Sequence, residues 1–253
     1  MFLGGHVRAS DDLVFLREAG FDFGEVVLRD KKAREYWRDI DTGPFRGSNF
    51  WLIAHGPHEG DPNSLVNLLK NYGPSLKETI DSACRLATSF LTVHLWMDSR
   101  YVTTSQIVEK KALLKDLFYY AAEKQIALSL ENLSESASDL ESALEEIPQA
   151  SLTLDIGHAQ LLTETNRSFE IITRLGDRIH HVHAHDNSGG SGIKDDLHLP
   201  IGDGIIDFYS IIAALLMSGY DNTITLELKR QELILSRDRL ERLFQNVRND
   251  LGL

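Results

Sequence analysis

Cysteine is almost absent. Cys84 is the only one in 253 residues, so no disulfide can form within the chain, and a reducing cytoplasm is the expected location. No stretch of about 18 apolar residues occurs, which argues against a membrane-spanning helix and a membrane partner. The opening MFLGGHVRASDD has neither a long apolar core nor a cleavage signature, so no signal peptide is expected. Positive charge is also scarce. Lys and Arg total 26 against 38 Asp and Glu, a net charge of -12. Unassisted binding to a polyanion needs clustered Lys and Arg, so nucleic acid is not the expected partner, although bound divalent cations would reverse the sign locally. Low-complexity tracts and breaks in composition are missing too, which leaves residues 1–253 as one domain. No motif specifies an oligomeric state.

What is present is alternation. Short apolar runs that suit strands alternate with helical patterns along the whole chain. The strand candidates are MFLGGHV, EVVLRD, FWLIAHG, FLTVHLW, IALSLENL, SLTLDIGHA, IHHVHAHDN and TITLELK. Between them, helices are expected over 11–20, 64–89, 105–124, 136–147, 168–175, 207–220 and 237–251, with a short helix and then loop in 31–48. Asp11 and Gly20 punctuate the first helix, Gly219 suits a C-terminal cap, and Ile107, Leu113, Leu114, Leu117 and Phe118 share one broad apolar face. Eight strands alternating with helices indicate parallel βα units. At about 250 residues their natural closure is a (β/α)8 TIM barrel. An open doubly wound sheet would need a glycine-rich phosphate turn after an early strand, and there is none.

The strand candidates carry polar residues at the same end. His55 ends the third, His94 nearly ends the fourth, and Glu131 ends the fifth. Asp155 and His158 end the sixth, His183 and His185 the seventh, and Glu227 the eighth. In a parallel barrel all strand C-termini open onto one face, where active sites lie. A lone His on an apolar strand is usually a hydrogen-bonded core residue. A carboxylate among apolar neighbours, as in LSLEN and TLELK, is costly unless paired or metal-bound. Six consecutive strands ending this way point jointly to a metal site.

Residues 180–204, HHVHAHDNSGGSGIKDDLHLPIGDG, hold five of the ten histidines. His183 and His185 alternate, so they share one side of their strand. Asp196 and His198 repeat that spacing beyond a glycine-rich loop. Mixed imidazole and carboxylate donors suit zinc, manganese or iron better than magnesium. His180 and His181 are read as structural, His6 and His58 have nothing to fix a role, and Trp96 suits either packing or a pocket wall. The glycines of SGGSG and IGDG read as turn permission, because no helix start follows directly.

The segments LENL, LDIGHA, HVHAHDN, DLHLPIGDGIIDF and LEL resemble those of the xylose isomerase-like barrel superfamily, which contains sugar isomerases and epimerases and also endonuclease IV. The resemblance spans nearly the whole chain and is strongest over 128–228. Its epimerase branch implies one divalent ion held by Glu131, Asp155, His183 and Glu227. The two glutamates would act as acid and base, and His158 would touch substrate, with His185 available to steady a substrate oxygen. Its endonuclease branch implies three zinc ions, with His55, His94, His158, Asp196 and His198 as further ligands. The expectation is therefore a metal-dependent isomerase or epimerase of a sugar, sugar phosphate or related polyol, using one to three ions of zinc or manganese. The alternative is a multi-zinc phosphodiesterase acting on abasic-site DNA or another phosphoester. The chain has no Arg- or Lys-rich loops with aromatic wedges after its early strands, which base-flipping chemistry would use.

Overall fold

The computed structural model describes residues 1–47 and 49–253. The strands are β1 (Phe2–Val7), β2 (Phe23–Val27), β3 (Trp51–His55), β4 (Phe90–His94), β5 (Ala127–Glu131), β6 (Ser151–Asp155), β7 (Ile179–Ala184) and β8 (Thr223–Leu226). They pair in parallel, each with the next, and β8 pairs back onto β1 to close the barrel. The helices are α1 (Ser10–Glu18), α2 (Lys31–Arg38), α3 (Leu65–Asn67), α4 (Gly73–Arg85), α5 (Thr104–Glu123), α6 (Ala137–Leu144), α7 (Ser168–Leu175), α8 (Phe208–Met217) and α9 (Arg230–Leu251). The (β/α)8 barrel expected from the alternation is what the chain forms. No helix among the described residues is long and apolar enough to cross a membrane.

Local chemistry accounts for several helix starts. Asp30, Thr103, Ser136 and Asp207 each accept a backbone N–H of the first turn of α2, α5, α6 and α8, which satisfies donors that have no helical partner. In α5, Leu114 and Leu117 are buried, while Ile107, Leu113 and Phe118 pack beside the core, as the periodicity requires.

Several boundaries differ from the sequence reading, and three of them bear on the site or the helix layer. The stretch expected as one helix over 64–89 is α3, a π turn over Leu68–Tyr72 and α4, ending at Arg85. The last helix begins at Arg230 rather than 237, because Leu233, Ile234 and Leu235 run together at its opening and hide the helical period. Strand β2 begins at Phe23, not Glu25, which moves Glu25 from a strand's edge to its middle.

Side chains that alternate inward stack in levels. Phe23 and Trp51 stack at one end of the barrel, with ring centroids 5.2 to 6.0 Å from Phe2 and His181. Above them lies a hydroxyl level, where Thr153 donates to Ser129 at 2.8 Å and meets Thr92 at 3.0 Å. Two residues further along each strand come the imidazoles and carboxylates.

Candidate metal centre

His55, His94, Glu131, Asp155, His183 and Glu227 come together at the C-terminal mouth of the barrel, all buried. Glu131 divides the group. Its Oε2 lies 2.8 Å from His94 Nε2 and 3.4 Å from His55 Nε2, and its Oε1 lies 3.2 Å from both His183 Nδ1 and His158 Nδ1. His183 Nδ1 also lies 2.9 Å from Glu227 Oε1 and 3.8 Å from Asp155 Oδ2. Beside this lies a second group. Asp196 Oδ2 is 3.4 Å from His158 Nε2 and 3.1 Å from His198 Nε2, and His185 Nε2 is 3.2 Å from Asp155 Oδ1. All nine metal-ligand positions read from the sequence, and His185, therefore lie in one continuous patch.

The histidines share a pattern. Nδ1 of His55, His94, His158 and His198 faces the carbonyl of Gly56, Pro57, Asn132 and Glu227, at 2.9, 3.2, 3.2 and 2.8 Å. A carbonyl only accepts, so each Nδ1 carries a proton, and each Nε2 faces the carboxylates as the nitrogen that a cation could take up. His183 is reversed, with Nε2 3.2 Å from Glu25 Oε1 and Nδ1 facing the mouth. One nitrogen tied back and the other offered is how metal-ligating imidazoles are held.

The ring arrangement leaves polar atoms stranded. Both oxygens of Glu131, Asp155 Oδ2, Glu227 Oε1, His183 Nδ1 and Asp196 Oδ1 are buried without a properly aligned hydrogen-bond partner. Buried polar atoms are otherwise nearly always satisfied. These atoms belong to the donor types that zinc and manganese take, so the residues fit a divalent cation.

Electrostatics agree with that fit. Burial would raise the Glu131 carboxyl, but the imidazoles of His94 and His183 hold it well below the usual range. Burial opposes ionisation of Glu227 too, and His6 and His183 outweigh it. Burial would lower His183, yet Glu25, Glu227 and Glu131 raise it well above an ordinary imidazole. His198, despite burial, is lifted to about 9, chiefly by Asp196. Protons on these rings offset carboxylates that a cation would otherwise neutralise.

The loops are built to aim these groups. Asn132 accepts the Asp155 N–H at 2.8 Å and donates to the Asp155 carbonyl at 3.0 Å, tying the ends of β5 and β6 together. A Cβ on Gly157 would lie 2.1 Å from the His185 ring, so only glycine leaves His185 its place. Asp186 is fully buried and accepts the N–H groups of Asn187, Gly202, Gly204 and Ile206. That clasp closes the loop bearing Asp196 and His198. His198 itself has φ 46°, a left-handed conformation that a non-glycine residue holds only where its surroundings enforce it.

Three residues were misjudged or missed from sequence. His6, read as having nothing to fix a role, is buried at the end of β1 with Nε2 2.9 Å from Glu227 Oε1. His58, read in the same way, stacks on His94 with centroids 4.9 Å apart and an interplanar angle of 17°. Glu25 went unremarked and is fully buried beneath His183. Of the two histidines read as structural, His180 is exposed, while His181 lies inside the barrel, 2.7 Å from Thr223 Oγ1. Trp96 donates from its indole to Ser134 at 2.8 Å and stacks on Tyr101.

A parallel barrel with a cation-ready cluster of acids and imidazoles at its mouth defines a class. Residues 13–247 match the family model described as xylose isomerase-like TIM barrel, and the chain belongs to that family. It is 31% identical over 215 residues to the uncharacterized protein MJ1311 of Methanocaldococcus jannaschii, covering 78% of this chain and 71% of that one. Among solved structures it resembles a D-tagatose 3-epimerase-like protein, with TM-score 0.81, 23% identity and 99% and 100% of the two chains covered. It also resembles the TTHB071 protein of Thermus thermophilus soaked with zinc chloride, with TM-score 0.75, 20% identity and 97% and 99% covered. At those identities the two structures speak to the fold.

Proposed function

We propose that the protein is a divalent-metal-dependent isomerase or epimerase of a sugar, sugar phosphate or related polyol. The observation that carries this reading is the pair Glu131 and Glu227. They come from the end of β5 and the residue just after β8, and both carry buried, unsatisfied oxygens directed at His183 Nδ1. Glu131, Asp155, His183 and Glu227 would hold the ion. When bound, it would supply Lewis-acid stabilisation of negative charge developing on substrate oxygens.

The chain's own residues supply the proton handling. Glu131 and Glu227 reach the site from separate parts of the barrel wall, so one can take a proton from a substrate carbon while the other returns one. His94 and His55 beside Glu131, and His6 beside Glu227, favour the ionised form each needs as a base. His158 and His185 flank Asp155 and are suited to orient substrate hydroxyls. The D-tagatose 3-epimerase-like structure shares the fold, which is in keeping with a sugar substrate.

The test is incubation of the zinc- or manganese-loaded protein with a panel of ketoses, aldoses and their phosphates in deuterated water. Deuterium should enter at one substrate carbon. A broad panel with no exchange would count against the proposal.

One observation favours a second reading. His55 and His94 with Glu131, and His158 and His198 with Asp196, form donor groups on either side of the central four. That set suits a multi-zinc phosphoesterase, in which the residues would bracket a phosphate. Metal content separates the readings: about one equivalent supports the isomerase, and two or three support the phosphoesterase.

A further inference from the structure

Four of the five imidazoles with one nitrogen tied back are held by main-chain carbonyls. His183 alone is held by a side chain. Glu25, at 0% exposure in the middle of β2, places Oε1 and Oε2 each 3.2 Å from His183 Nε2. Its Oε2 is also 3.3 Å from His181 Nε2, and Thr225 and Thr223 complete that second ring at 3.1 and 2.7 Å. A carboxylate buried this deeply is expensive unless paired. A leucine or methionine would fill the same volume without that cost, so packing alone does not explain the residue. Glu25 also lies below the mouth, with the His183 ring between it and Glu131 and Glu227.

We propose that Glu25 is a positioning residue for the metal centre. By accepting the Nε2–H of His183, it fixes that ring in the tautomer that turns Nδ1 toward Glu131, Asp155 and Glu227, and its charge strengthens Nδ1 as a donor. Without Glu25 the ring has no partner that demands a proton on Nε2, and the tautomer with the proton on Nδ1 blocks ligation. Carboxylate partners of this kind typically contribute 10- to 100-fold in metal affinity. The proposal rests on the metal-centre reading above and extends it to a residue outside the mouth.

The experiment compares wild type, Glu25→Gln and Glu25→Asp. Glutamine keeps the shape and an acceptor oxygen but removes the charge, and aspartate keeps the charge on a shorter arm. Zinc chloride titrations followed by calorimetry should show roughly a 10- to 100-fold loss of affinity in E25Q and partial recovery in E25D. A residue that merely braces β2 against β7 would lower the melting temperature and leave zinc affinity alone. Folded E25Q that binds zinc as wild type does would overturn the proposal. If E25Q does not fold, the wild-type protein decides. Histidine labelled with nitrogen-15 in the zinc-loaded protein should show a slowly exchanging Nε2–H on His183, and a bare Nε2 there would overturn it. Wild type that takes up no divalent ion would instead sink the metal centre itself, a failure distinct from that of Glu25 alone.

Discussion

His183 Nδ1 and Glu227 Oε1 lie 2.9 Å apart, yet neither is aligned as donor or acceptor to the other. Two buried polar atoms held this close without a hydrogen bond suit a cation that both contact. Replacing Glu227 with Gln removes one charge and one strong donor from that place. Zinc affinity should fall at least about tenfold, and isomerase turnover by roughly 10²- to 10⁴-fold, the usual worth of a general base. Calorimetric titration checks the first and deuterium exchange the second. Unchanged metal affinity would remove Glu227 from the ion's ligands.

Asp186 governs the second donor group without touching it. Its oxygens accept backbone N–H groups at 2.9, 2.9, 3.0 and 3.2 Å. An asparagine can present only one accepting oxygen, so D186N strands N–H groups on one side of the clasp. The loss should be on the order of 3 kcal/mol. Backbone exchange should rise over 187–206, and any ion bound through Asp196 and His198 should be lost before one held by Glu131, Asp155, His183 and Glu227. Hydrogen exchange with metal analysis reads both. Simultaneous loss of all metal would show that the two groups are not separable.

The barrel was legible because alternating apolar runs and helical periods survive without any tertiary information, and the mouth because Glu131 and Glu227 stand among apolar neighbours. Glu25 meets the same criterion. Sequence alone hides it, because EVVLRD sets it at the start of a strand, where a carboxylate needs no explanation; the flanking Phe23 and Gly24 do not alternate in polarity and hide the true start. His6 follows two glycines and gave no pattern of its own. Its role exists only because β1 closes against β8, a contact between residues 221 apart that no local window contains. The clasp by Asp186 is likewise invisible, since its partners are backbone groups of whatever residues stand at 187, 202, 204 and 206.

Glu135 supplies a pH prediction away from the metal centre. It is buried and raised to about 7, because burial outweighs the backbone N–H groups of Met97 and Leu133 that favour its charge, and Asp98 lies close. The folded chain therefore holds a proton that the unfolded chain releases near an ordinary carboxylate value. This group's contribution to stability is full at low pH and declines as pH rises from about 4.5 to about 7. Across that window it amounts to about 3 kcal/mol. Glu135→Gln cannot titrate, so wild type should lose stability relative to E135Q as pH rises from 5 to 8. Denaturant melts at several pH values check this, and wild type gaining on E135Q over that range would contradict it.

Removing metal should also be felt in stability. An ion bound to the folded chain alone, at about 1,000 times its dissociation constant, adds about 4 kcal/mol. Chelation should therefore lower the melting temperature, and zinc or manganese should restore it, with magnesium less effective against a donor set that includes imidazole. Melting curves that do not respond to chelator in fully metal-loaded protein would contradict this.

Anomalous scattering from crystals grown with zinc tests the account most directly. Density should stand among Glu131, Asp155, His183 and Glu227, with each contributing an atom at about 2.0–2.2 Å from the peak. Zinc-loaded crystals with peaks only at the protein surface, and those four side chains contacting solvent or one another, would contradict it.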